Sequence, residues 1–243
     1  ASVIGLEFAA PAVSSLAPEP VRPRIAEHLG TLGRKRMVGH VASNDGEPLY
    51  RFQHHLVRDT VYNGLLKRAR ATLHVDFVRW ADAVNAQRGR ALEFQEILGY
   101  HLEQAYHYLR ELGPIDDAGR AIRRDAAQRL GAAARRSLSR GDQHAAHNLF
   151  ARAVALAGEE PDLRLPMLPE LGAVLTDIGR IDDARTVLAE AAAATELPRV
   201  AAAARIERMM LSLHAGEPGN WSEAAQALAE ERIPQLEALD ADT

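Results

Sequence analysis

"GRIDDARTVLAEA", residues 179–191, decides how this chain is read. It opens on Gly179, places Ala184 five positions on, Leu188 four further and Ala191 three beyond that. In a helix, steps of four and three return to the same face, so Ala184, Leu188 and Ala191 form one stripe. The two alanines let a neighbouring backbone approach, and the leucine fills the groove beside them. The leading glycine permits a tight turn between two helices. The pattern recurs upstream in "GDQHAAHNLFARA", residues 141–153, as Gly141, Ala146, Phe150 and Ala153. It recurs downstream in "GNWSEAAQALAEE", residues 219–231, as Gly219, Ala224 and Leu228. One helix pair of this kind cannot bury its apolar face alone, so pairs must stack.

The second copy resembles a tetratricopeptide repeat most fully, since Leu171, Gly172, Leu175, Gly179, Ala184, Leu188 and Ala191 occupy that motif's positions. The first has Ala133 and Ala134 in its front helix, and the third has Glu231 in place of the last alanine. The starts lie 38 and 40 residues apart, longer than the motif's usual ~34; "GEEPDLRLP", residues 158–166, is the extra length. The resemblance implies an α-α array whose concave surface takes a protein or peptide.

Ahead of the repeats, "MVGHVASNDGEPLYRFQ", residues 37–53, flanks Asn44-Asp45-Gly46 with Met37, Val38 and Val41 on one side and Leu49, Tyr50 and Phe52 on the other. Two short apolar runs around such a turn predict a β-hairpin, the one strong strand signal in the chain. Before it, Ile25, Leu29 and Leu32 stand at helical spacing behind Pro23. The opening "ASVIGLEFAAPAV", residues 1–13, lacks a methionine and reads as the tail of a helix entering a turn, in a piece cut from a longer protein. From Gln53 onward the pattern is helical throughout. The expectation is a mainly α chain, with a winged-helix-like domain over 1–66 and a helical repeat domain over 67–243.

The chemistry-bearing stretch is "YRFQHHLVRDTVY", residues 50–62. On a continuous helix His54 and Arg58 share one face, and His55 and Asp59 share another. With Val57, Val61 and Leu65 along one side and Phe52, Leu56 and Leu66 along the other, the helix would lie between two layers. Phe52, Leu56, Arg58, Asp59, Val61 and Tyr62 are therefore read as a structural junction, with Phe52, Leu56 and Val61 largely buried and His55 paired with Asp59. His55 and Asp59 supply two metal ligands where at least three are needed. No HExxH occurs, and His101 and His107, six apart, lie on opposite sides of their helix. No G-x-S-x-G elbow marks a serine nucleophile.

The run "YRFQHHLVRDTVYNGLLKRARATLHVDF" resembles the segment that follows the ATPase core in STAND-type signalling ATPases. The likeness is strongest to bacterial members linked to adenylate or guanylate cyclase domains or to LuxR-type transcriptional regulators. "ASVIGLEF" resembles the family's first winged-helix segment and "YHLEQAYHYLRELGP" its first repeat-region helix. The family pattern F-x-H-x-L-V-R-D-x-x-Y falls on Phe52, His54, Leu56, Val57, Arg58, Asp59 and Tyr62. The resemblance implies that His54 senses ADP bound by an upstream ATPase domain of the full-length parent; His55 stands where a related form has an acidic residue. The chain contains no G-x-x-x-x-G-K-[ST] phosphate loop, so ATP or ADP belongs to the parent and no cofactor is expected here. The expected role is that of a non-catalytic signal-transduction and protein–protein interaction fragment.

Composition narrows the remaining classes. Apolar residues are 47% and charged residues 26%, with a net charge of -4. No apolar run approaches the length of a membrane span, and the absence of cysteine removes disulfides and thiolate chemistry; no membrane and a cytoplasmic location are the expectation. The second reading is a winged-helix DNA-binding regulator. Arg34, Lys35 and Arg36 end the candidate recognition helix, and Lys67, Arg68 and Arg70 add charge. Asp45 and Glu47 at the wing tip would repel phosphate, and the acidic balance disfavours general nucleic-acid binding.

Overall fold

Phe8, Leu29, Val38 and Phe52 bury together, and three short strands and a helix assemble around them. β1 (Glu7–Ala9), β2 (Val38–Val41) and β3 (Leu49–Phe52) form an antiparallel sheet in the order β1-β3-β2. Phe8 lies opposite Tyr50, and Val38 opposite Phe52. The computed structural model describes residues 1–42, 48–90, 92–217, 226, 227, 229 and 230. The expected hairpin turn at Asn44-Asp45-Gly46, and Glu47, lie outside the described residues.

The opening stretch is not a helix tail. It is a turn, then β1, then α1 (Ala10–Leu16). Glu7 faces solvent and ion-pairs with Arg51 across the sheet while Phe8 enters the core. Pro11 stands in the first turn of α1, where its missing N–H costs nothing. The hairpin thus gains a third strand. α2 (Ile25–Arg34) buries Leu29, and Ile25 and Leu32 pack against the same cluster, as their spacing predicts.

α3 (His55–Asn63) follows β3 directly, and α4 (Lys67–Gln87) and α5 (Gln95–Leu112) come next. α4 and α5 pack along one another, and α1 packs on α4. The compact unit holding the sheet is Ala1–Ala126. α4 and α5 add Ala71, Phe77, Val78, Leu98, Leu102 and Ala105 to the buried residues of this unit.

The second unit is Ala127–Thr243. α6 (Asp117–Ser139) leads into it, followed by α7 (Gln143–Ala157), α8 (Pro161–Arg164), α9 (Leu168–Asp177), α10 (Ile181–Ala192) and α11 (Pro198–His214). Gly141 and Gly179 adopt φ of 77° and 78° after α6 and α9, the left-handed backbone that glycine alone takes freely. Asp142 caps α7 by accepting from the Ala145 N–H at 3.0 Å. Ala146, Phe150 and Ala153, and again Ala184, Leu188 and Ala191, are fully buried. At Gly172 an added Cβ would sit 2.3 Å from Leu188 Cδ2, so α9 approaches α10 to a distance that only glycine permits.

In the extra length between α7 and α9, Arg164 grips Glu190 of α10 at 2.6 and 2.9 Å. α11 closes on Gly216, with φ of 65°. Gly219, Ala224 and Leu228 of the third copy lie outside the described residues. The molecule is mainly helical, with one small antiparallel sheet.

Candidate functional site

His54 is exposed and is not part of the helix it was expected to share with Arg58. With φ -134° and ψ 130° it is extended and stands at the N-cap of α3. Its carbonyl accepts from the Val57 and Arg58 N–H groups at 3.1 and 3.4 Å, which starts the helix one residue later. It lines an open concavity of about 560 Å³ with Arg34 at the end of α2, Arg36 just beyond it, His40 of β2 and Tyr50 of β3. Gly30, Gly33 and Gly39 form its walls, and among the described residues no carboxylate lines it. Arg34 donates to Thr31 at 2.9 Å. Arg36 holds φ 56°, a left-handed conformation uncommon outside glycine.

α3 itself buries no residue completely. Phe52, just ahead of it, is 7% exposed, but Leu56 is 66% and Val61 50% exposed, against the expectation that they fill a junction. The helix turns its Arg58–Tyr62 stripe inward, because both side chains find partners there. Arg58 Nε donates to the Ser2 carbonyl at 2.9 Å, and its guanidinium lies 4.8 Å above the Tyr62 ring. Leu56 is left on the far side, and Val61 borders an open apolar groove with Val57 and Leu65. Nor does His55 pair with Asp59, whose carboxylate accepts from Arg58 at 2.9 Å.

Tyr62 opens a chain of polar groups that continues into α4 and α5. Its hydroxyl lies 2.8 Å from His74 Nε2 and 3.0 Å from the Tyr108 hydroxyl. Arg70 donates to the Tyr108 hydroxyl at 3.3 Å, and His74 Nδ1 meets His101 Nδ1 at 2.7 Å. Both histidines are only 1% exposed. Two ring nitrogens at that separation need one N–H and one lone pair. Arg70 can only donate, so every proton is used when the chain runs in one direction. Arg70 gives to Tyr108, Tyr108 to Tyr62, Tyr62 to His74 Nε2, and His74 Nδ1–H to His101. Arg70 is itself pinned, donating to the Leu65 and Asn63 carbonyls at 3.0 and 2.7 Å.

The electrostatics keep both rings neutral. Burial, the neighbouring His101 and the Arg58 and Arg70 charges push His74 down to about 3. Burial and Arg58 push His101 down to about 4. Burial, with the Tyr108 hydrogen bond next, raises the Tyr62 phenol. Among the described residues no cluster of three or more His, Cys, Asp or Glu side chains could hold a metal.

The histidine chain was missed in the sequence, although a signal exists. His74 continues the apolar stripe of Phe77, Val78 and Ala81, and His101 sits among Leu98, Leu102 and Ala105. A histidine in line with core residues has to find a partner. His107, on the other side of α5, is exposed.

Comparison with family models, with curated proteins and with solved structures finds no match to this chain. Among the described residues no helix is long and apolar enough to cross a membrane.

Proposed function

We propose that this chain is a non-catalytic regulatory and protein-interaction fragment of a nucleotide-dependent signalling protein of the STAND type, in which a winged-helix-like unit relays nucleotide state to a tetratricopeptide-like scaffold. The observation that carries the reading is the repeated register of Gly141, Ala146, Phe150 and Ala153 with Gly179, Ala184, Leu188 and Ala191. Both glycines take the same left-handed turn, and all six following side chains are buried. Such an array offers a surface to a protein or peptide.

Two further features favour it. The strand order β1-β3-β2, with α1 and α2 between the outer strand and the hairpin, suits a winged helix. His54 stands beside Arg34, Arg36 and His40 in a concavity that no carboxylate of the described residues lines, which suits an anionic group presented by an upstream ATPase domain. The nucleotide, ATP or ADP, is the parent's cofactor.

The test is the release rate of a fluorescent ADP analogue from the parent carrying its ATPase domain. His54→Ala should speed release several-fold and raise basal output. Unchanged release would remove His54 from any sensing role. Calorimetry on the present chain should detect no micromolar ATP binding, because no phosphate loop exists to hold it.

The alternative, a winged-helix DNA-binding regulator, is favoured by one observation: among the described residues no carboxylate pairs with Arg34, Lys35 or Arg36. Fluorescence anisotropy with a labelled duplex separates the two. Binding that weakens steeply between 50 and 200 mM salt, as phosphate contacts require, and that Arg34→Ala abolishes would favour DNA.

A further inference from the structure

We infer that the buried Tyr62–His74–His101 chain is a proton-sensitive latch that holds α3 against α4 and α5. Three observations carry this, none of which depends on the nucleotide reading. First, α3 has few apolar anchors: no residue of it is fully buried, Val57 packs against the sheet's cluster only partly buried, Leu56 stands in solvent and Val61 is half exposed. A helix with so few apolar anchors opens more readily than the core beneath it. Second, its attachment is polar. Tyr62 reaches His74 and Tyr108, and Arg58 reaches the Ser2 carbonyl. Third, the group it reaches is titratable and enclosed, since His74 shares a proton with His101 at 2.7 Å.

Burial and the Arg58 and Arg70 charges oppose protonation of the pair. Arg58 and Tyr62 face it from α3, Arg70 from α4, and Tyr100 and Tyr108 from α5. Among the described residues the side-chain charges that shift the pair are those of Arg58 and Arg70. When α3 lifts, Tyr62 leaves the His74 ring and Arg58 carries its positive charge away. The imidazole then meets water with one fewer cation beside it. Docked α3 therefore excludes the proton, and by reciprocity the proton excludes docked α3.

The size of the effect follows from the two limits. His74 titrates at about 3 with α3 docked and near 6.5 in water. Between pH 7.5 and 5.5 the ratio of released to docked α3 should rise roughly tenfold if His74 alone is exposed, and about a hundredfold if His101 follows. His54 caps α3, so release also alters the concavity in which His54 stands.

Amide hydrogen exchange on the whole chain, normalised for the intrinsic pH dependence of the rate, tests this. Opening at the α3 amides should increase at least tenfold from pH 7.5 to 5.5, while α9 and α10 stay unchanged. In His74→Gln, which keeps a hydrogen-bonding tip without titrating, the rise should shrink about tenfold. In Tyr62→Phe, which loses the hydroxyl, α3 should open faster at both pH values. Should His74→Gln fail to fold, the wild-type comparison stands by itself: α3 amides that open at a lower free energy than the rest of Ala1–Ala126, with a pH response of their own, support the latch. Equal normalised opening at the two pH values overturns it. So does a rise undiminished in His74→Gln, or α3 amides that open only together with the rest of Ala1–Ala126, at one common free energy.

Discussion

Gly172→Ala is the sharpest test of how α9 meets α10, because two effects of opposite sign compete. In an open helix the change stabilises by about 1 kcal/mol, since alanine loses less backbone entropy than glycine. Here the new methyl would sit 2.3 Å from Leu188 Cδ2, 2.4 Å from Cγ and 3.0 Å from Cδ1. Leu188 is fully buried, so it cannot swing into solvent to make room. Overpacking of this kind costs about 1–3 kcal/mol and should outweigh the propensity gain, leaving the variant less stable.

The partner change works the other way. Leu188→Ala alone should cost about 2–5 kcal/mol for an emptied leucine site, but in the double variant the added methyl enters the vacated space. The two losses should then add to less than their sum, by an amount in the ~0.5–3 kcal/mol range for residues in contact. Urea unfolding, with hydrogen exchange at the α9 and α10 amides reading this unit separately, measures all four species. A stabilised Gly172→Ala, or strict additivity in the double variant, would refute the close approach of the two helices.

Gly179→Ala should destabilise by about 1–2 kcal/mol through its left-handed backbone alone, because φ is 78° and nothing lies within 4 Å of the new methyl; a thermal melt measures it. Leu56→Ala should change stability by no more than about 0.5 kcal/mol, as for a surface site, since Leu56 is 66% exposed; a loss above 2 kcal/mol would mean that α3 is buried after all. Acid should weaken the Ala1–Ala126 unit: His74 and His101 stay neutral to about 3 and about 4 when folded but take up protons near 6.5 when unfolded. Stability is therefore complete above pH 6.5 and falls as pH drops towards 4, by about 1.4 kcal/mol per pH unit for each histidine. Urea midpoints read from Trp80 fluorescence at pH 7.5, 5.5 and 4.5 check the direction.

The parts of this fold that could be read from sequence are those whose packing leaves a local trace. Helices that touch through small residues must place Ala146, Ala184 and Gly172 at fixed steps from Phe150 and Leu188, and those steps are visible in the chain. β1 leaves no such trace, since three residues with one buried side chain have no period to detect. α3 marks a different limit. A 3.6-residue period tells which side chains share a face but not which face is covered, and here hydrogen bonds rather than leucines chose. The polar chain was hidden because its contacts span 12, 27 and 46 residues of sequence. It joins ends of helices that only tertiary packing brings together.

The exposure of Leu56 has a practical side. The chain has no cysteine, so a single thiol placed at position 56 would be its only reactive one. It would stand in solvent on the helix of its unit that is least committed to the core. A spin label or fluorophore attached there would report the tumbling of α3 directly, without a cysteine-free background having to be engineered first.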